Sequence, residues 1–449
     1  MDYPYVEVEF TKDGDAFQAA QADQAVATIA NGPATDLFVA SHGWNNDIAD
    51  ARQLYEALFK RISELATTGL VPRLDGRAFA VLGVFWPSKK FTDEDLIPGG
   101  GASTASPQNV AAVVKLLEEL KNDPVRLGDT TVDPARSATL DRAKALVPNL
   151  ETDPAARREF VLALRSVVDQ RAAHPEDGSD AFFRKDPLEL FGELSQTVVA
   201  PAATGGGGAA EVRGGGGGGG RGGAAGLSDL FGGVVGAARR LGNFTTYYQM
   251  KTRAGAVGTR GLGPLLKRIR AAKPGIKIHL VGHSFGGRLI TAAAATLDPQ
   301  TPSVTMSLLQ AAYSHNGLAA RFDGTNDGFF RAVVGERRIS GPIVITHTKN
   351  DKAVGVAYPL ASRIANDKAA AFGDANDPYG GMGRNGAQRT REVAASPSQL
   401  LDLGEAQEKP YQLSAGSVYN LNADRFIGGH SDITNHQVAC AILAAVSTT

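Results

Sequence analysis

Seven short apolar stretches punctuate the chain, and most segments between them repeat their apolar residues at helical spacing. Residues 6–10 (VEVEF) alternate apolar and charged side chains, as a strand with one wet face at a sheet edge does. Residues 36–41 (DLFVAS) and 78–86 (AFAVLGVFW) are instead continuous apolar runs, the second stopped by Pro87. Runs that are apolar on both faces suit parallel strands buried on both sides. Strand character returns at 276–281, 304–312, 342–348 and 417–421. Helical patterns lie between these runs: 51–65, with Leu54, Leu58, Ile62 and Leu65 on one face, then 262–272, 288–297 and 433–446. Alternating β and α units predict an α/β protein with a mostly parallel sheet covered by helices on both faces.

Between residues 91 and 240 the pattern changes. Ser106-Pro107 reads as an N-cap followed by proline in the first helical turn, and Val110, Val113, Val114, Leu117 and Leu120 follow at helical spacing. Asp153-Pro154 opens another helix, with Phe160, Leu164, Val167 and Val168 as its stripe. No strand pattern occurs there, so this block is expected to be a mainly helical cap or lid inserted into the core. The expected organisation is a first core part (1–90), the insertion (91–240) and a second core part (241–449).

Composition sharpens one point. The chain of 449 residues holds 53 glycines, and 14 of them crowd into the 22 residues of 205–226, GGGGAAEVRGGGGGGGRGGAAG. Such a tract carries no side chains to pack and reads as a linker inside the insertion. No G-K-[ST] follows it, so it is not a phosphate-binding loop.

The remaining glycines lead to chemistry. Gly282-His283-Ser284-Phe285-Gly286 matches G-x-S-x-G, follows an apolar strand and opens an Ala-rich helix. That is the strand–turn–helix setting a nucleophile elbow needs, with small residues two before and two after the serine so that the tight turn fits. A serine nucleophile needs a base, usually a histidine oriented by a carboxylate, and in this type of site the chain order is Ser, acid, His. His430 stands in a glycine loop (FIGGHSD) after the last strand, and Asp351 follows the strand ending at Thr348. His436, His347 and His315 are alternative bases, Asp323 and Asp327 alternative acids. The oxyanion donors are expected to be the N–H groups of Phe285 and of Trp44, the latter in the turn Ser41-His42-Gly43-Trp44-Asn45-Asn46. His42, Gly43, Asn45, Trp86 and His283 are expected to line the site.

Together these pieces resemble the α/β-hydrolase superfamily, and more narrowly the bacterial serine esterase and lipase-like hydrolases with a V-H-G-[YW]-N-N turn, a strand ending in W-P-S, a helix carrying a tyrosine and an H-S-[MF]-G elbow. The counterparts are His42–Asn46, Trp86-Pro87-Ser88, Tyr247 or Tyr248, and His283–Gly286. The resemblance covers 31–90 and 245–300 well and 340–449 more loosely; the long insertion has no counterpart in compact members. It implies an α/β-hydrolase fold and hydrolysis of carboxylic esters through an acyl-enzyme. An amidase, thioesterase or acyltransferase would use the same machinery, and a non-catalytic binding protein or a lipid-interacting effector could carry the same fold.

Charge and cysteine content narrow the alternatives. With 46 Lys+Arg against 47 Asp+Glu, no basic field is available for a nucleic-acid backbone. One cysteine, Cys440, excludes an internal disulfide. No H-E-x-x-H spacing is present, and Asp374–Asp377 runs into Pro378 where a calcium loop needs a ligand, so no metal or cofactor is expected. The chain start shows no basic-then-apolar leader and no long apolar span occurs, which points to a cytoplasmic protein acting on a small-molecule, acyl-ester or lipid-like substrate.

Overall fold

All seven apolar stretches form strands: β1 (Tyr5–Glu9), β2 (Asp36–Ser41), β3 (Phe79–Phe85), β4 (Lys277–His283), β5 (Val304–Leu309), β6 (Ile343–His347) and β7 (Val418–Asn422). The computed structural model describes residues 2–44, 46–88, 107–122, 133–195, 233–351, 354 and 378–449. The strands pair in the order β1-β3-β2-β4-β5-β6-β7, every pair parallel. The alternating strand VEVEF is indeed at the sheet edge, where one side goes unpaired.

The pleat explains the continuous apolar runs. In β2, Leu37 and Val39 enter one core, whereas Phe38 and Ala40 enter the other. Successive side chains point to opposite faces, so a strand sandwiched between two helical layers needs apolar residues at every position. One layer holds α1 (Ala19–Asn31) and the long helix Val234–Ala256, which passes through a π-helical turn (Val257–Leu262) into Gly263–Ala272. The helix Phe285–Ala294 completes that layer. The other holds α2 (Ile48–Ala66) and the terminal helix His436–Val446. Helix 288–297 of the sequence reading thus begins earlier, at Phe285, because the elbow turn is tight enough for the helix to start straight after Ser284. The terminal helix begins later than 433, at His436, where the Asn435 side chain caps the Val438 N–H.

A third apolar core belongs to the helical block. It is built from Pro107–Lys121, Pro134–Leu146, Pro154–Ser166, Ser179–Arg184, Pro187–Ser195 and the first half of Val234–Ala256. That last helix crosses residue 240: Leu241, Phe244 and Tyr248 face the block, whereas Tyr247, Met250 and Ala254 join the sheet's core. The glycine tract 205–226, Ser106 and Asp374–Asp377 lie outside the described residues.

A buried ionic cluster ties block to sheet. Asp177 pairs with Lys251 and accepts hydrogen bonds from Ser179, and Ser314, in the segment leaving β5, donates to the Glu176 carbonyl at 3.0 Å. Arg288 lies over the rings of Phe329 and Phe330 and donates to the Lys251 carbonyl. Within it the Glu176 carboxyl is fully buried: Oε2 accepts the Phe329 N–H at 2.7 Å and lies 3.8 Å from His174 Nδ1, and Oε1 has no hydrogen-bond partner among the described residues. Burial first, and then the neighbouring Asp177 charge, push the Glu176 pKa up to about 7, against the offsetting cations Lys251 and Arg288. A carboxyl whose pKa is raised by folding stabilises the fold fully below its unfolded pKa and loses that contribution as pH rises through the folded value. Unfolding free energy is therefore expected to fall by roughly 3 kcal/mol between about pH 4.5 and pH 8 on account of this group. Glu176→Gln, which keeps the shape and removes the titration, should abolish that slope and be the more stable protein at pH 8. Parallel pH profiles of denaturant midpoint for the two proteins would count against this account.

Candidate active site

The strand order places the site. β2 and β4 are neighbours, with Ser41 in register with Gly282, and the chain leaves β2 toward β3 on one side while β4 continues toward β5 on the other. Such a reversal opens a crevice at the carboxyl ends of the strands, where ligands bind in open α/β sheets. The segment His42–Trp44 and the turn holding Ser284 both follow those strand ends.

Ser284 has φ 55° and ψ −125°, a conformation disfavoured for a residue with a side chain. Such strain costs on the order of 1–3 kcal/mol and persists only where the surroundings over-determine it. Here they do: the Ser284 N–H donates to Leu309 O, and its carbonyl accepts from Gly287 and Ala312, all at 3.0 Å. Gly286 is required by closeness rather than by its own φ, since a Cβ there would lie 2.1 Å from the Ser41 carbonyl oxygen. The Phe285 N–H, at the head of its helix, has no acceptor among the described residues.

Gly43 is required by closeness to its neighbours. Its backbone is not in the left-handed region; instead a Cβ would sit 2.5 Å from Ser284 Cβ and 3.1 Å from Ser284 Oγ. The glycine brings main chain against Ser284. Gly43→Ala should therefore displace the serine and lower kcat/KM for an ester roughly 100-fold, the cost of a misplacement near 1 Å, with the circular-dichroism spectrum retained. Wild-type turnover in that variant would contradict the assigned contact.

The 41–46 turn is clamped from beneath. His42 is fully buried, and its ring stacks on Trp86 at 5.7 Å and 17°. The Trp86 indole N–H donates to the His42 carbonyl at 3.0 Å, Tyr55 Oη accepts the His42 N–H at 2.8 Å, and Ser88 Oγ donates to the Asn46 carbonyl at 2.8 Å. Burial pushes the His42 pKa down to about 4, so its ring is a neutral structural element. The Trp44 ring meets Phe285 edge-on at 5.9 Å, and Tyr247, not Tyr248, packs on Phe285 at 5.2 Å. Asn45 lies outside the described residues.

Asp351 and His430 meet. His430 Nδ1 lies 2.8 Å from Asp351 Oδ2, and the carboxylate is fully buried. Its other oxygen accepts the Val354 N–H at 2.9 Å. An acceptor-only carboxylate opposite Nδ1 makes that nitrogen the protonated one and leaves Nε2 with its lone pair. The His430 ring lies 4.9 Å from the ring of His283, the residue before Ser284. Among the described residues no hydrogen bond joins Ser284 Oγ to His430. Such links are often long without substrate and tighten when it binds.

The other candidates are engaged elsewhere. His315 is buried, accepting from Gly380 N–H and facing Asn385. His347 bonds the Arg384 carbonyl, and His436 pairs with Glu64. Asp323 caps the turn at Thr325 and Asn326, and Asp327 accepts the Arg321 N–H. A second hydroxyl–imidazole–carboxylate chain exists, in which His279 Nδ1 meets Thr305 Oγ1 and Nε2 meets Asp36 Oδ1, both at 2.9 Å. It lies at the amino ends of the strands, fully buried, with Arg77 binding Asp36 and the last turn of the chain. It has neither elbow nor access and serves stability.

Sequence reading missed Tyr55 and Asn350. Tyr55 hides in an apolar helix face, yet its hydroxyl holds both the His42 N–H and, at 2.7 Å, the Val84 carbonyl. Asn350, beside the acid, donates to the carbonyls of Asp424 and Ile427 and so ties the acid loop to the histidine loop. A tyrosine inside an otherwise apolar stripe was the visible signal for the first; the second had none.

Among the described residues no cluster of three His, Cys, Asp or Glu side chains has the arrangement of a metal site. His279 and His283 are four apart, but on a strand that separates them by about 13 Å. No described helix is long and apolar enough to cross a membrane. No protein-family model, curated protein or solved structure matches this chain.

Proposed function

We propose that the protein is a serine hydrolase of the α/β-hydrolase type, cleaving carboxylic esters through an acyl-enzyme. The observation that carries this reading is the strained Ser284 at the head of a helix, at the same carboxyl end of the parallel strands as the buried Asp351–His430 pair. Ser284 Oγ adds to the ester carbonyl carbon while His430 Nε2 takes the hydroxyl proton. The oxyanion is held by the Phe285 N–H and the Trp44 N–H. Collapse expels the alkoxide, which receives that proton from His430 and leaves as the alcohol. A water then repeats the sequence, its proton passing to His430 and back to Ser284 Oγ as the acid departs. Asp351 holds the Nδ1–H and balances the imidazolium.

Incubation with a fluorophosphonate, followed by peptide mass mapping, tests the nucleophile directly. One adduct on Ser284, lost in His430→Ala, is the expected result. A protein that stays unlabelled, or is labelled elsewhere, would overturn the proposal.

A further inference from the structure

We infer that His283 is a positioning residue, fixing where His430 stands relative to Ser284 through a hydrogen bond to the His430 main chain. The inference rests on the hydrolytic reading above.

His430 follows Gly428 and Gly429, the most permissive steps a chain can take, and a Cβ on Gly429 would meet nothing within 4 Å. Local sequence therefore does little to hold the base in place. Asp351 holds its ring. The main chain is held from the opposite side: His283 Nε2 lies 2.9 Å from the His430 carbonyl oxygen, and the two rings pack at 4.9 Å and 42°. A carbonyl only accepts, so His283 must present Nε2–H. Its Nδ1 is then the bare nitrogen, buried with no hydrogen-bond partner among the described residues and against Gly43, where a Cβ would come within 3.1 Å.

The choice of a neutral ring has a reason. Burial, and then the neighbouring His430, hold the His283 pKa down to about 3. A lysine or arginine could also donate to that carbonyl, but it would set a permanent cation beside an imidazole that must become positive during the reaction. Neutral His283 supplies the donor without that opposition. It also leaves the same strand end as Ser284, so β4 carries both the nucleophile and the support for its base.

The test compares two variants. His283→Phe keeps a ring but removes the donor, whereas His283→Gln places an N–H near the position of Nε2. In His283→Phe, kcat for a short-chain p-nitrophenyl ester is expected to fall roughly 10- to 100-fold with KM changed less than about twofold; His283→Gln should recover to within about threefold of wild type. The second readout does not depend on turnover. The imidazole proton of His430 bonded to Asp351, assigned by its absence in His430→Ala, should exchange with water about tenfold faster in His283→Phe and near the wild-type rate in His283→Gln. Unchanged kcat and exchange in His283→Phe would overturn the inference, as would equal losses in both variants, which mark packing alone. If Ser284→Ala turned over the ester as fast as wild type, the hydrolytic reading would fail, and the exchange rates would still decide the role of His283.

Discussion

Ser284→Ala is expected to lower kcat for p-nitrophenyl ester hydrolysis by roughly 10⁴- to 10⁶-fold, with thermal stability near or above that of the wild type. The kinetic size follows from the role: among the described residues no other hydroxyl at the carboxyl ends of the strands occupies a strained elbow, and removing a serine nucleophile leaves only the contribution of substrate binding and oxyanion donors. The stability expectation follows from the backbone. Alanine is no more at ease at φ 55° than serine, but it buries no hydroxyl. A drop of less than tenfold would remove Ser284 from the mechanism. The pH profile gives a companion check. His42 and His283 are held neutral by burial, with pKa values of about 4 and about 3. Loss of activity on acidification within roughly pH 8 to 5 therefore cannot come from either ring. A flat profile across that window would count against a histidine base.

The second large effect is expected for Asp351→Asn, a fall in kcat of about 10⁴-fold with little change in fold. Both oxygens of Asp351 accept hydrogen bonds, one from His430 Nδ1–H and one from the Val354 N–H. An asparagine has only one accepting oxygen. If that oxygen stays with Val354, the amide N–H faces His430 and favours the tautomer with the proton on Nε2, which cannot take a proton from serine. If it faces His430, the amide nitrogen opposes the Val354 N–H inside a buried pocket, at a cost of about 1–3 kcal/mol. Either arrangement disables the base or loosens its support. A rate within about tenfold of wild type would mean that Asp351 only braces the loop after β6.

How much of this was legible beforehand differs from residue to residue. Strands β2 and β3 could be read because a strand covered on both faces must be apolar at every position, and β1 because an edge strand with one wet face alternates apolar and charged residues. The elbow could be read because strand, small–x–Ser–x–small and Ala-rich helix are contiguous in the chain. Asp351 and His430 were legible only as loop residues after the right strands. The structure brings them within 2.8 Å although 79 positions separate them. Gly43 was legible only as a glycine in the turn after β2; that the turn holding Ser284 passes against it belongs to the folded structure. Helix Val234–Ala256 crosses the boundary placed at 240, because an amphipathic pattern shows that a face is buried but not against which core.

By itself the sequence determined what is local: strand and helix periodicity, the tight turns where side chains would clash, and which residue could be a nucleophile. Hydrogen bonds and steric limits between near neighbours in the chain settle those features. Tertiary structure alone decided what depends on contacts far apart in sequence. The strand order juxtaposes the ends of β2 and β4. Packing buries Asp351 and brings His283 to the His430 carbonyl. Desolvation lowers the pKa values of two imidazoles and raises that of Glu176. Burial and electric environment belong to the assembled neighbourhood, and no stretch of chain contains that neighbourhood before it folds.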